Sequence, residues 1–310
     1  MTPRLLVTLG DPRGVGPEVT ATALRMLRQE TPDVEVRLFG ADPRGVVPDD
    51  LPVSSVTYDG SERSAGTVAG EAIEAAVRAA LAGEGDALVT APIHKPALRA
   101  GGWTEPGHTE LLMRLTGVPE VGMLMSAERT RLGGALRVLL ATTHLPLRDV
   151  PGRVTSDLLV AQTRLLEREL RTRFGIDTPR IGLCALNPHA SDAGMFGDEE
   201  ARVYAPALAA LDDLEVTGPI PADTVFSRAL AGEFDAVVAP YHDVGMAAFK
   251  TVSFGAGVNV TLGLPFPRTS PDHGTAFDRV GTDTIDASSM LEALRLAVRL
   301  ARSRVARNHL

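Results

Sequence analysis

The sequence has one cysteine, Cys184, in 310 residues. A single thiol cannot close an intramolecular disulfide or build a cysteine-rich zinc site, so any transition metal must be held by imidazole and carboxylate, and a cytoplasmic compartment is expected. Positive charge is in deficit: 31 Lys and Arg stand against 39 Asp and Glu, a net −8. A nucleic-acid partner needs a basic stripe and is excluded on this balance; the arginines of residues 295–307 read as the charged face of a helix. No apolar run approaches the roughly 18 residues of a membrane-spanning helix, and the first residues pass from a short apolar segment into Gly10-Asp11-Pro12 without a cleavable signal pattern. No repeat of 20 to 50 residues is present, and no low-complexity tract beyond an Ala-rich stretch at 72–82, so solenoid architectures are excluded. Also missing is the G-x-G-x-x-G dinucleotide fingerprint: the glycines of the first turn fall at 10, 14 and 16, and a standard Rossmann site is not expected.

What is present is an ordinary globular composition, 44% hydrophobic and 23% charged, with enough length for two domains or one large α/β domain. Short apolar runs alternate with stretches of helical period, as when helices cover a largely parallel sheet. Strands are predicted at 4–9, 35–40, 87–90, 136–142, 181–186, 236–239 and 258–262. Helices are predicted at 17–29, 65–82, 109–115, 156–174, 199–211 and 288–305; Thr155-Ser156-Asp157 and Asp198-Glu199-Glu200 supply caps and first-turn acids for two of them. Gly117-Val118-Pro119 and Gly255-Ala256-Gly257 suggest a discontinuous first domain, 1–116 with 255–310, around a second at 117–254.

Three histidines share one structural address. His144, His189 and His242 each lie just past the C-terminal end of an apolar strand, the edge where ligands bind in parallel sheets. Together they can hold one divalent ion and leave a coordination position open. One such His is more simply a strand cap or a partner for a loop carbonyl, whereas three at the same address favour a metal. Their separations of 45 and 53 residues match no local zinc signature. Asp243 and Asp223 are carboxylates that can orient an imidazole or form turns.

The segment Gly10 to Glu18 joins a strand to a helix, and its amides can receive an anion or serve only a tight turn. Lys95, Lys250 and Arg268 sit in otherwise uncharged loop contexts suited to clamping phosphate or carboxylate, although a lone cation is more often a solvated surface group. His108 and Thr109, entering a helix after Gly107, can donate to a substrate anion or cap that helix. His273, in Pro271-Asp272-His273-Gly274-Thr275-Ala276, and His94 are further candidates for a ligand or a cofactor contact. His309 lies at the chain end.

These segments, taken in order, resemble the 4-hydroxythreonine-4-phosphate dehydrogenase family over nearly the whole chain. The long blocks Val258-Asn-Val-Thr-Leu-Gly-Leu-Pro-Phe266 and Arg268-Thr-Ser-Pro-Asp-His-Gly-Thr-Ala276 carry the resemblance most specifically. It implies a subunit of two α/β/α domains like isocitrate and isopropylmalate dehydrogenases, with the active site in the interdomain cleft and shared across a homodimer. It also implies metal ligands at His144, His189 and His242, and substrate contacts at His108, Thr109, Lys250, Asn259 and Arg268. Asp223 matches an acid near the metal, and Asp272, Gly274 and Thr275 lie in a loop that resembles the cofactor-binding loop of the isocitrate dehydrogenase relatives. The implied reaction is NAD- or NADP-linked oxidation of 4-phosphohydroxy-L-threonine, with zinc, magnesium or cobalt as Lewis acid, then decarboxylation to 3-amino-2-oxopropyl phosphate, a precursor of pyridoxal phosphate. His108 or Asp223 would move the proton.

Two departures bear on the substrate. The motif Asn-Pro-His-Ala-Gly-Glu-Gly-Gly-His reads here Asn187-Pro188-His189-Ala190-Ser191-Asp192-Ala193-Gly194-Met195, and Tyr-His-Asp-Gln-Gly reads Tyr241-His242-Asp243-Val244-Gly245. A polar group lost beside a substrate changes specificity by a large factor, so threonate or erythronate 4-phosphate and a cyclic dihydrodiol carboxylate remain alternative substrates. A metal-dependent phosphate ester hydrolase is the alternative of another class, and a binding protein that kept the fold and lost catalysis is disfavoured by the intact histidine trio.

Overall fold

Apolar runs become strands and 3.6-period stretches become helices in a computed structural model that describes residues 2–51, 53–55 and 57–307; His309 lies outside the described residues. The elements from the N-terminus are β1 (Arg4–Thr8), α1 (Gly16–Glu30), β2 (Glu35–Gly40), β3 (Val53–Ser55), α2 (Glu62–Leu81), β4 (Ala87–Thr90), α3 (Lys95–Ala100) and α4 (His108–Thr116). There follow β5 (Gly122–Ala127), β6 (Leu136–Leu140), α5 (Val150–Arg153), α6 (Ser156–Thr172), β7 (Ile181–Cys184), α7 (Ala205–Ala209), β8 (Val216–Ile220), α8 (Ala222–Leu230), β9 (Ala236–Ala239) and α9 (His242–Ser253). The chain closes with β10 (Val258–Leu262), β11 (Arg268–Pro271) and α10 (Ser288–Arg307). They fall into two compact units, residues 1–121 with 258–310, and residues 122–257.

In the first unit the strand order is β3-β2-β1-β4-β11-β10, parallel throughout except for β10, which runs antiparallel to β11. All of β4, and all of β1 but Arg4, are buried, the mark of a sheet covered on both faces. Leu6 and Leu88 pack with Ile73 and Ala76 of α2 and Leu112 of α4. Their strand neighbours Leu5, Val7, Ala87 and Val89 point to the opposite face, where α10 lies on the sheet and α1 packs against it. Strand β11 reads Arg-Thr-Ser-Pro and is buried along its length without one aliphatic side chain.

The second unit has the order β5-β6-β9-β7-β8; β5 is antiparallel to β6, and β6, β9, β7 and β8 are parallel. Val138, Leu140, Val237 and Ala239 of the sheet pack with Phe226 of α8 and Phe249 of α9. Helix α6 starts where its cap predicts, the Thr155 hydroxyl accepting from Leu158 N at 3.2 Å, a contact worth about 1 kcal/mol. The predicted helix at 199–211 instead opens as a π turn, Glu200–Tyr204, before α7. Glu200 is not a solvated first-turn acid there but is buried, 6% exposed. No described helix is long and apolar enough to cross a membrane.

Candidate active site

Parallel strands deliver the residues that follow them to one edge. In the second unit β6, β9, β7 and β8 are neighbours, and His144, His242, His189 and Asp223 follow them respectively, each within five residues of its strand. The imidazoles of His144 and His242 come together, ring centroids 5.5 Å apart, in a cavity of about 250 Å³ that Thr142, Tyr241 and Asp243 also line. His144 is in the left-handed region, φ 47°, and the Thr142 hydroxyl before it donates to Pro240 O at 2.8 Å. His242 Nδ1 lies 2.7 Å from Asp243 Oδ1. An ionised carboxylate only accepts, so Nδ1 is the donor; in the neutral ring Nε2 then carries the lone pair, the tautomer in which an imidazole ligates a metal with a carboxylate orienting it.

His189 does not join this pair. It is exposed, on a left-handed loop after β7, with its ring 6.3 Å from that of Phe196. Among the described residues no three His, Cys, Asp or Glu side chains are grouped to hold an ion. Cys184 takes no part, because burial pushes its thiol up to about 12. Asp223 is exposed in the first turn of α8, and Lys250 is exposed on α9. Val244, read from the sequence as an apolar replacement beside the metal, packs half-buried on the unit's own core.

The first unit holds a separate cluster of positive charge. Arg268, at the start of β11, is 3% exposed. Its Nε and Nη2 donate to the Thr90 hydroxyl at 3.1 and 2.5 Å, and its Nη1 to the Thr261 hydroxyl at 2.9 Å. Among the described residues it has no carboxylate partner, and burial lowers the guanidinium to about 10. His108, the first residue of α4, has its Nε2 buried with no partner. Burial, then the neighbouring Arg268 and Lys95 cations, hold its imidazole well below the ordinary value, and so neutral at pH 7. Gly107 ahead of it supplies no side-chain cap, leaving the α4 amides open to an anion. Thr109 stands next in the helix and Asn259 lies half-buried on β10, in register with Ser270 of β11. Sequence reasoning found Arg268 by its loop context but missed Thr90 and Thr261, whose role depends on strand pairing.

Four amides of the Gly10 to Glu18 turn are committed inside the fold: Asp11 N donates to Pro92 O, Arg13 N to Asp11 Oδ1, Gly14 N to Asp11 O and Val15 N to Thr275 O. Gly10 is obligatory at φ +73°, and a Cβ at Gly14 would meet Thr275 O at 2.7 Å. The turn carries Asp11, 1% exposed and paired with Arg13, whose Nη2 also reaches His94 Nδ1 at 3.3 Å. It thereby supports the Asp272 to Thr275 loop. In that loop Ser289 Oγ accepts from Asp272 N, and Gly274 is exposed. His273 Nδ1 donates to Gly274 O at 2.9 Å, and its Nε2 is buried with no partner.

A family model described as "Pyridoxal phosphate biosynthetic protein PdxA" matches residues 8–297. The chain is similar to the 4-hydroxythreonine-4-phosphate dehydrogenase of Burkholderia vietnamiensis, 42% identical over 323 residues and covering 97% of each chain. The crystal structure of the Klebsiella pneumoniae 4-hydroxythreonine-4-phosphate dehydrogenase superposes with a TM-score of 0.85 at 35% identity, over 97% of this chain and 100% of that one. An isocitrate dehydrogenase from Methylococcus capsulatus shares the fold alone, at 15% identity and a TM-score of 0.59 over 99% of this chain and 88% of that one. With an α/β fold of that kind and a match spanning nearly its whole length, the chain belongs to the PdxA family.

Proposed function

We propose that the chain is an NAD(P)- and metal-dependent dehydrogenase that oxidises 4-phosphohydroxy-L-threonine and releases carbon dioxide, giving 3-amino-2-oxopropyl phosphate for pyridoxine 5'-phosphate biosynthesis in the cytoplasm. The observation that carries the reading is Arg268, a buried guanidinium without a counter-ion among the described residues, beside His108 and Lys95. A buried unpaired charge is strongly unfavourable, and the phosphate or carboxylate of a small substrate supplies the missing partner in bidentate geometry. Thr109, Asn259 and Lys250 complete the substrate contacts.

The donor set fits a divalent cation, because His144 and His242 converge and Asp243 leaves His242 Nε2 free to ligate. When bound, zinc, magnesium or cobalt supplies Lewis-acid polarisation of the substrate's secondary alcohol. His144, His189 and His242 would hold the ion. His189 is outside the pair in one chain, and Leu145, Leu147, Met195 and Phe196 around the two loops are exposed, so a homodimer in which one subunit completes the other's site accounts for both features. The orphaned His273 Nε2 fits a nucleotide amino group; with Asp272, Gly274 and Thr275 it would hold NAD or NADP, which would supply the hydride acceptor. His108, neutral and with a buried Nε2 that has no partner, or Asp223 on the metal-bearing edge, would take up the hydroxyl proton and return that same proton to the product.

A panel of 4-phosphorylated hydroxy acids tests the reading, with NADH and inorganic phosphate followed in parallel. NADH formation with 4-phosphohydroxy-L-threonine is expected. Phosphate release without NADH would instead identify a hydrolase, and NADH with threonate or erythronate 4-phosphate alone would replace the substrate.

A further inference from the structure

The loop that carries His189 is folded against the preferences of its own residues. Positive φ runs unbroken from 189 to 194, at 53°, 54°, 71°, 44°, 56° and 94°, and only the last of these residues is glycine. Left-handed backbone is disfavoured for any residue with a Cβ, and a run of it persists only where the surroundings hold it.

The holder is Glu200. Its Oε1 accepts from Leu186 N at 3.0 Å and Asn187 N at 2.8 Å, and its Oε2 from Asn187 Nδ2 at 2.9 Å and from the Ser191 hydroxyl. Four donors therefore satisfy a buried carboxylate that has no cationic partner among the described residues, and they lie two or three residues before and two residues after His189. Glu200 reaches inward because it opens the π turn, which is tied to the end of β7 by Tyr204 Oη donating to Cys184 O at 2.9 Å. A π turn in this position is a recurrent device at functional sites.

We infer that Glu200 is a positioning residue for His189 and that Ser191 is the tether through which it fixes the far side of the loop. The inference rests on the reading of His189 as a metal ligand. It also explains a departure in the sequence. Where the related motif has glycine at 191 and 193, this chain has Ser191 and Ala193; the added Cβ atoms disfavour the left-handed turn, and the Ser191 hydroxyl returns a hydrogen bond that glycine cannot make.

The test is zinc affinity, measured on the metal-stripped full chain by competition with a chromophoric chelator, with thermal unfolding of the same samples alongside. His189→Ala, Ser191→Ala, Glu200→Gln and Glu200→Asp are compared with wild type. Ser191→Ala and Glu200→Gln are expected to weaken zinc binding about 10- to 100-fold, the usual effect of losing an outer-shell partner. Ser191→Ala should do so with little change in the unfolding temperature, and Glu200→Asp should recover part of the loss. If Glu200→Gln does not fold, Ser191→Ala decides alone, since it removes only one hydroxyl. Wild-type zinc affinity in Ser191→Ala and Glu200→Gln, with loss in His189→Ala, would overturn the positioning role while leaving the ligand reading intact. Wild-type affinity in His189→Ala would overturn both.

Discussion

Replacing Arg268 with Met separates a buried charge kept for a ligand from one kept for the fold. The guanidinium is 3% exposed, and the fall from 12.5 to about 10 corresponds to about 3 kcal/mol of penalty on the charged form. Methionine removes that penalty and fills a similar volume. It also gives up the bonds to the Thr90 and Thr261 hydroxyls, a loss on the order of 2 kcal/mol. The ligand-free variant should therefore unfold within about 1 kcal/mol of wild type, whereas breaking a buried ion pair costs about 3–5 kcal/mol. The anion response should change far more. At a phosphate concentration 100 times its dissociation constant the wild type gains about 2.7 kcal/mol by linkage, and the Met variant should gain almost nothing. Calorimetric unfolding in phosphate-free buffer and at rising phosphate gives both quantities. A loss of several kcal/mol without ligand, together with an undiminished phosphate response, would refute the assignment of Arg268 to an anion.

Other perturbations probe other parts of the account. His108 has a folded value well below 6.5, so the unfolded chain binds that proton more tightly and stability present above about pH 6.5 is lost as the pH falls toward the folded value. His108→Gln removes this component, and its unfolding temperature should fall less between pH 7 and 5 than that of wild type; parallel profiles would count against a buried neutral imidazole. Asp243→Asn leaves His242 without its orienting carboxylate and should weaken metal retention about 10-fold or more, as read by metal content after dialysis against a chelator; retention equal to wild type would contradict the orienting role. Arg13→Met strands the Asp11 carboxylate, which is 1% exposed. It should cost about 3–5 kcal/mol in chemical unfolding, and a loss below about 1 kcal/mol would contradict the pairing.

Runs of Val, Leu and Ala made β1, β4 and β9 legible to within a residue, because strands covered on both faces are apolar along most of their length. β11 was invisible for the opposite reason. Arg-Thr-Ser-Pro is buried by its neighbours, and the guanidinium of its first residue is solvated by hydroxyls from β4 and β10. Helix α9 was missed too; its first turn carries His242, Asp243 and the poor helix former Gly245. In the site, the convergence of His144 and His242 could be anticipated from their common position after parallel strands. The separation of His189 could not, since it is set by the left-handed run at 189–194 and by Glu200, both of which are tertiary features. The partners of the Asp11 and Val15 amides, Pro92 O and Thr275 O, were out of reach for a similar reason, being remote in sequence.

The most direct test of the central claim is the ratio of carbon dioxide released to NADH formed when 4-phosphohydroxy-L-threonine, NAD and a divalent cation are supplied to the purified protein. One carbon dioxide per NADH, with both abolished by a chelator, is the predicted result. Substrate consumed without NADH, or NADH formed with no carbon dioxide, would contradict it.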